Sequence, residues 1–582
     1  VSVKIIDYIA PILKSRYLLL GENPEGMLRR VATFIASQEI ERDTWAARFF
    51  AMMDSGDFMP SSPILMNAGT DYPMMSACFV LDIPDEMGGI FQAIKDMALI
   101  QQHGGGTGFN FSKLREKGAI VRSTHGVASG VLSFLEVFNS ATNIVKQGGK
   151  RRGANIALLS VDHPEIEDFI DSKLVDGKLS NFNISVAISD KFMEAAFSGT
   201  DWPLISRVNG AVVKVVKAQA LMAKIVQNMW KNGEPGIIFS DTIEASNPTP
   251  WLGPLTGVNP CGEVSLYDKE ACNLGSINLE HFANVFTSRD ELNRLQSTVR
   301  TAVRFLDDTI DLNVYPVVGI REAVQRTRKI GLGVTGLHSW LLLNGYKYSS
   351  QEGRDAASGL LSLITNTGRH CSEELAEEKG STGLYVPMGH LPVRNSVITC
   401  IAPTGTISMI LDTSSSGIEP VFSYTYERRI GDETYHIETG ILRDLLAKYK
   451  VEATDELIRQ IENEGGVLAK IPSLPQELRE LAETAQEIDP FAHLAMLSSL
   501  QAVVDNNISK TIAIPNVSNV DLFGLIMEAW NGMVRGFTVY RDGSREGQVI
   551  NAVERCPVCG QPVIKEEGCK RCGSCGWSTC TI

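Results

Sequence analysis

The chain lacks the marks of a membrane or secreted protein. No apolar stretch reaches the roughly eighteen uncharged residues that a membrane-spanning helix needs. The opening VSVKIIDYIAPILKSRYLLL has neither a charged leader with a small-residue cleavage site nor an initiator Met, so the true N-terminus is expected upstream. Basic excess is missing too: 54 Lys and Arg stand against 68 Asp and Glu, a net charge of −14. Nonspecific nucleic-acid binding rests on clustered Lys and Arg, so a phosphate backbone is not the expected partner of this surface. Charged residues make up only 21% of the 582 and apolar ones 44%, which excludes disorder as the main state and allows more than one core. No internal repeat is evident. The expectation is a soluble cytoplasmic protein.

Cysteine is sparse along most of the chain and crowded at its end. Cys78, Cys261, Cys272, Cys371 and Cys400 are scattered, while six of the eleven fall after residue 555. A chain this long needs no disulfide staples. The tail therefore points to metal or redox chemistry, and the scattered five to core thiols unless a local motif says otherwise.

Apolar residues at three- and four-residue spacing predict helices over 89–103 (Ile90, Ala93, Ile94, Met97, Ile100) and 130–147 (Val131, Phe134, Leu135, Phe138, Val145), each stopped by glycines. An apolar run at 154–160 and a new helix near His163 follow. The same helix-to-strand order recurs at 218–239 and 354–401. Such alternation indicates an α/β architecture with mostly parallel sheet, without choosing between an open sheet and a barrel. The Glu-, Lys- and Arg-rich stretch 452–486 is expected to form exposed helices added to the core. The polar stretch 544–555 reads as a linker to the tail.

The strongest local signal is Asn259-Pro260-Cys261-Gly262-Glu263. Proline and glycine exclude a helix or regular strand here, so the thiol sits on a turn. In an extended loop Asn259 and Glu263 would share its face, giving a hydrogen-abstracting or nucleophilic Cys with a base beside it. A buried structural Cys on a polar turn is the other reading. Cys272 and Cys78, on an expected strand, are each core thiols by default and with Cys261 a candidate three-thiol site. The turn 402–408 (APTGTIS), with exposed amides and hydroxyls at a helix start, suits either a phosphate or an ordinary cap. The loop 150–155 carries three positive charges between glycines, which alone is a solvated loop. In the tail, Cys556-x-x-Cys559-Gly560 and Cys572-x-x-Cys575-Gly576 are spaced for tetrahedral zinc, leaving Cys569 and Cys580 as a possible redox pair; the overlapping Cys569-x-x-Cys572 keeps the partition open.

In order along the chain, PSSPILMNAGT (60–70), SACFVLDIPDE (76–86), GGKRRGANIALL (148–159), NPCGE (259–263), ACNLGSINL (271–279), APTGTIS (402–408), KTIAIPN (510–516) and VYRDGSREGQ (539–548) resemble the ribonucleotide reductases, and most closely their adenosylcobalamin-dependent class. The resemblance implies a ten-stranded α/β barrel of two half-barrels with NPCGE on a central finger loop. The expected division is a helical segment at 1–60, the barrel at 61–543, the linker, and a zinc-ribbon-like tail at 556–582. It implies Cys261 as the thiyl that takes the 3′-hydrogen of the ribose, Glu263 as base on the 3′-hydroxyl, Asn259 as a hydrogen-bond partner of the sugar, and Cys78 with Cys272 as the dithiol oxidised to a disulfide. Substrate contacts are implied at Ser61, Ser62, Ala77, Gly106, Pro403, Thr404, Gly405, Thr406 and Ile407. Deoxynucleotide effector contacts are implied at Asp85, Lys113, Arg115, Arg151 and Arg152. Thioredoxin or a similar reductant and a homodimer are the expected partners.

The class rests on absences as well. Val539-Tyr540-Arg541-Asp542 stands where the oxygen-dependent class has its Tyr-Tyr relay, and no Arg-x-x-Gly-Tyr glycyl-radical motif is found. An N-terminal ATP-cone is also expected to be missing. The function implied is reduction of ribonucleoside diphosphates, with triphosphates as the alternative. A non-catalytic zinc-ribbon protein binding nucleotide or nucleic acid is the remote reading, disfavoured by NPCGE together with the two distant cysteines.

Overall fold

The computed structural model describes residues 9–121, 125–145, 153–175, 177–382, 392–430, 433–515 and 517–541, and the backbone of short strands at 550–551, 563–566 and 569–572. Its barrel strands are short and buried on both faces, the pattern of parallel strands with helices outside them. They are β1 (Phe58–Pro60), β2 (Cys78–Leu81), β3 (Gly106–Asn110), β4 (Asn155–Ser160), β5 (Phe182–Ile188), β6 (Gly236–Phe239), β7 (Glu270–Asn278), β8 (Ile330–Thr335), β9 (Thr511–Ala513) and β10 (Gly536–Tyr540).

The pairings define two halves. In the first, β2, β3, β4, β5 and β6 are parallel neighbours in that order. In the second, β7 lies parallel to β8, β8 bridges to 397–401 at Leu332 and Thr399, that segment bridges on to Ile508, and β9 lies parallel to β10. The halves meet antiparallel at two seams, β2 with β7 and β6 with β10. A ring of two five-stave halves results, with β1 as an extra strand beside the far end of β7. The 397–401 stave, expected as a strand, makes only bridges, and Asp505 Oδ2 accepts from the Ile398 and Thr399 amides at 3.1 and 3.2 Å.

Helices cover the ring. Those between staves include α3 (Met87–Gln102), α4 (Val131–Val145), α5 (Ala218–Asn232) and α7 (Gln351–Lys379), where the periodicity places them, and α6 (Arg289–Leu312), which the sequence reading did not mark. Before them come α1 (Pro24–Ile35), capped by Asn23 Oδ1 accepting from the Gly26 amide at 2.7 Å, and α2 (Arg42–Asp54). Between α1 and α2, the buried Glu39 pairs with Arg304 of α6 at 2.5 Å and Lys379 of α7 at 2.7 Å, tying these first helices to the barrel. The 452–486 stretch is less exposed than its charge implies. Leu457, Ile461, Leu468, Ile471 and Leu478 close a satellite core against Tyr424, Leu442 and Leu446, because its apolar residues keep helical spacing among the charges. Among the described residues no helix is long and apolar enough to cross a membrane.

Candidate active site

Asn259 to Glu263 form the tip of a hairpin whose arms, Gly257–Val258 and Ser265–Leu266, pair antiparallel against the first half-barrel. The Val258 carbonyl lies 1.8 Å from where a Cβ on Gly108 would sit, so a side chain at that point of β3 would displace the hairpin. The loop is not extended, contrary to the sequence expectation. Gly262 takes φ +79°, its amide donates to the Asn259 carbonyl at 2.9 Å, and the Val264 amide donates to Asn259 Oδ1 at 2.9 Å. This tight turn buries Asn259 and Glu263 while leaving Cys261 exposed. Asn183 Nδ2 donates to the Pro260 carbonyl at 3.0 Å and Asn507 Nδ2 to the Gly262 carbonyl at 2.9 Å, one anchor from each half-barrel.

The two buried carboxamide and carboxylate side chains both reach Cys78. Asn259 Nδ2 donates to its sulfur at 3.0 Å, and Cys78 Sγ lies 3.7 Å from Glu263 Oε1. Cys272 is the register partner of Cys78 across the seam. Burial pushes the Cys78 thiol well above its ordinary range, with the Glu263 charge adding to it. Burial likewise raises Cys272, against the opposing pull of Lys329, whose ammonium is paired with Glu270 at 2.8 Å. Both thiols therefore hold their protons more tightly than a free thiol.

A cavity of about 270 Å³ opens over this group. Its walls bring together Ser61, Ser62, Ala77, Cys78, Gly106, Asn259, Cys261, Glu263 and the turn Pro403 to Ile407, so these sequence-assigned residues, scattered over some three hundred and fifty positions, share one site. Cys272 lies just behind the wall. Ser61 Oγ is buried with no hydrogen-bond partner, a donor aimed at the cavity with nothing to bond, which costs free energy unless a polar ligand takes it. Ser62 Oγ, in contrast, pairs with the Tyr17 hydroxyl at 2.7 Å. On its other side Cys261 borders a second cavity of about 980 Å³, walled by Asn183, Ser185, Asn232, Ser509, Thr511, Thr538 and Tyr540 among others.

A thiol standing between two chambers, with a carboxylate, an amide and two further thiols beneath it, is equipped for thiol redox chemistry. The family profile "Ribonucleotide reductase, barrel domain" matches residues 76–391 and 388–540, and "Ribonucleotide reductase, all-alpha domain" matches residues 8–73. The chain belongs to the ribonucleotide reductases. It is 38% identical to the Vitamin B12-dependent ribonucleoside-diphosphate reductase of Mycobacterium tuberculosis (strain CDC 1551 / Oshkosh), covering 98% of this chain and 83% of that one. It is 40% identical to the protein of the same name from Thermoplasma acidophilum, covering 95% of this chain and 73% of that one. The Actinobacillus ureae class Id ribonucleotide reductase alpha subunit shares the fold, with a TM-score of 0.78 at 22% identity over 93% of this chain and 97% of that one.

The residues expected at an effector edge, Asp85, Lys113 and Arg115, lie beyond the C-terminal ends of β2 and β3, in two ion pairs of 2.8 Å: Lys113 with Asp82 and Arg115 with Asp85. An anion arriving there has to compete with carboxylates already in place. Arg151, Arg152, Cys556, Cys559, Cys575 and Cys580 lie outside the described residues, as do the side chains of Cys569 and Cys572. Sequence reading missed Asn183 and Asn507, whose spacing from NPCGE carries no signal, and the surroundings of Cys400. That thiol, taken as an ordinary core residue, packs in the same small apolar group as Cys78 and Cys272.

Proposed function

We propose that the chain reduces ribonucleoside diphosphates to 2′-deoxyribonucleotides by thiol radical chemistry. The observation that carries this reading is the meeting of Cys261, Asn259, Glu263 and Cys78 around one cavity, with Cys272 opposite Cys78. Substrate binds in the 270 Å³ chamber, its phosphates toward Ser61, Ser62 and the turn 403–407. Cys261 as a thiyl takes the 3′-hydrogen, and Glu263 accepts the 3′-hydroxyl proton. The 2′-hydroxyl leaves as water with a proton from one buried thiol. The Cys78–Cys272 dithiol supplies two electrons and two hydrogens and becomes a disulfide, Cys261 returns its hydrogen to the 3′ carbon, and Glu263 returns its proton to the 3′ oxygen. One C–O bond is lost, one C–H bond gained, and one S–S bond formed. Raised thiol pKa values keep both hydrogens on the sulfurs until the sugar radical has formed.

The 980 Å³ chamber on the other face of Cys261 is where adenosylcobalamin would bind, in keeping with relatives named as vitamin B12-dependent. Its wall offers the carboxamide oxygen of Asn183 and the hydroxyls of Ser185, Ser509, Thr511 and Thr538, polar groups suited to the neutral amide arms of a corrinoid. When bound, the cofactor supplies the single-electron chemistry that makes a thiyl.

Deoxynucleotide effectors bind at the edge carrying Asp85, Lys113 and Arg115 and act through Arg151 and Arg152. That edge adjoins α3 and α4, which pack together and leave Met87, Phe91, Val137 and Ile144 exposed. A second copy of the chain covers this face, making a homodimer. In the tail, Cys556, Cys559, Cys572 and Cys575 bind zinc, and Cys569 with Cys580 shuttle electrons from thioredoxin. The enzyme works in the cytoplasm.

Anaerobic incubation with adenosylcobalamin, a dithiol and either CDP or CTP tests the whole. Deoxynucleotide from CDP is expected, and product from CTP alone would move the substrate to triphosphates. Cys261→Ala should fold as the parent does and form none; product from it would remove Cys261 from the chemistry.

A further inference from the structure

The turn that walls the substrate chamber is held in a conformation its sequence does not favour. Thr404 takes φ +51° and Asp412 φ +56°, so a β-branched residue and an aspartate sit in the left-handed region at the two ends of one short segment. Left-handed threonine persists only where its surroundings over-determine it. Here the helix that follows, Ile407–Leu411, is too short to do so.

The bracing comes from a second loop, 412–417, and from the end of a barrel stave. Thr404 Oγ1 accepts from the Gly417 amide at 2.8 Å and lies 3.3 Å from Thr335 Oγ1. Thr335, fully buried as the last residue of β8, is 3.2 Å from Thr413 Oγ1 and donates to the Ser415 carbonyl at 3.1 Å. One proton arrangement satisfies the line: Thr404 donates to Thr335, and Thr335 donates to Ser415. The loop is pinned elsewhere by the Gly336 amide donating to the Ser415 carbonyl at 2.9 Å, by the Ser414 amide donating to Glu280 Oε1 at 2.8 Å, and by the Ser408–Ser416 hydroxyl contact at 3.0 Å. Thr335 itself does not line the chamber.

We propose that Thr335 is a positioning residue for the substrate phosphates: its buried hydroxyl, fixed by the barrel, holds Thr404 left-handed and thereby aims the amides of 404–406 and the Thr406 hydroxyl into the chamber. The proposal rests on the reading of that chamber as the ribonucleotide site. A valine at 335 keeps the shape and loses both the hydrogen bond to Ser415 and the acceptor for Thr404. The turn would then relax in the empty enzyme, and binding would have to restore it, so the loss falls on affinity and not on the chemical step.

The test compares Thr335→Val, Thr335→Ser and Thr335→Ala by their dissociation constants for CDP, measured by equilibrium dialysis without cofactor, and by KM and kcat with cofactor. Thr335→Val is expected to weaken CDP binding and raise KM by about tenfold, the equivalent of one lost hydrogen bond, with kcat within about twofold of the parent. Thr335→Ser should restore parent values. Thr335→Ala, which also lacks the hydroxyl, should repeat the KM rise and serves if the valine variant does not fold. Unchanged CDP affinity in whichever hydroxyl-free variant folds, or an equal loss in the serine variant, would overturn the proposal. A parent enzyme that binds no CDP would instead overturn the reading of the chamber.

Discussion

Cys78 and Cys272 are register partners across the antiparallel seam that joins the two half-barrels. Directly opposed residues of such a pair have Cβ atoms about 4.5–5.5 Å apart, and a disulfide needs them at about 3.5–4.5 Å. A small approach of two strands closes the bond, without unfolding. When the enzyme meets substrate and cofactor but no reductant, about one product per site should form and both thiols should become resistant to alkylation, with a 78–272 cross-linked peptide in the digest. Thiols that stay fully alkylatable after product has formed would exclude the pair as the electron source.

Gly331, on β8 beside that seam, makes room for sulfur. A Cβ there would lie 2.3 Å from Leu274 Cδ2, 2.6 Å from Cys400 Sγ and 3.4 Å from Cys272 Sγ. Gly331→Ala should cost about 1–3 kcal/mol through overpacking, read as a lower urea midpoint, and adding Cys400→Ala should recover part of it. Full additivity of the two losses would mean that the sulfur is not what the new methyl meets.

Cys371 provides the contrast. It sits on α7 with its sulfur 3.4 Å from the Arg300 carbonyl, outside the barrel ring, and Cys371→Ala should leave turnover at the parent rate. A loss of more than about half the activity at equal folded fraction would count against that.

Burial pushes the Glu280 carboxyl up to about 7 from an ordinary value of 4.5. The folded chain therefore holds this proton more tightly than the unfolded one, so the contribution to stability is present below about pH 4.5 and is lost as pH rises through 7. Glu280→Gln removes the dependence. Relative to that variant, the parent should lose up to about 3 kcal/mol between pH 4.5 and pH 8, seen in urea denaturation at the two pH values. Parallel pH profiles would show that Glu280 ionises normally.

Truncation after Ser544 removes the cysteine-rich tail. A disulfide inside the barrel can be reduced only by direct sulfur-to-sulfur attack, so the truncated enzyme should complete one turnover, continue with a small dithiol, and nearly stop with thioredoxin. Full speed with thioredoxin would reduce the tail to a structural role.

Much of the site was legible because its residues come in short motifs whose chemistry is local. Asn259, Cys261 and Glu263 announce themselves within five positions, and the helices over 89–103 and 130–147 follow from spacing alone. What could not be read was long-range. The tight turn at Gly262 depends on its φ of +79°, and the anchors Asn183 and Asn507 lie 77 and 245 positions from the carbonyls they hold. The satellite core at 452–486 was hidden by surface charge, since composition reports the outward face of an amphipathic helix as strongly as the inward one. Cys400 looked inert because nothing in its neighbours places it beside Cys272; only the bridging of 397–401 to β8 does that.

The position of the hairpin at 257–266 inside the ring also sets an order of assembly. It rests on Gly106, Gly108, Val80 and Leu158, all from the first half-barrel, whereas the last staves, near 399–401 and 508–513, come from chain made much later. A ribosome delivers the hairpin when only the first half exists to receive it, and the second half then shuts over it like a lid on a keyed lock. Long-range closure is the slow part of such topologies, so in pulsed hydrogen exchange the amides of Asn259 and Val264 should gain protection before those of Cys400 and Ile401. The turn that carries Cys261 is thus expected to be set early and enclosed last.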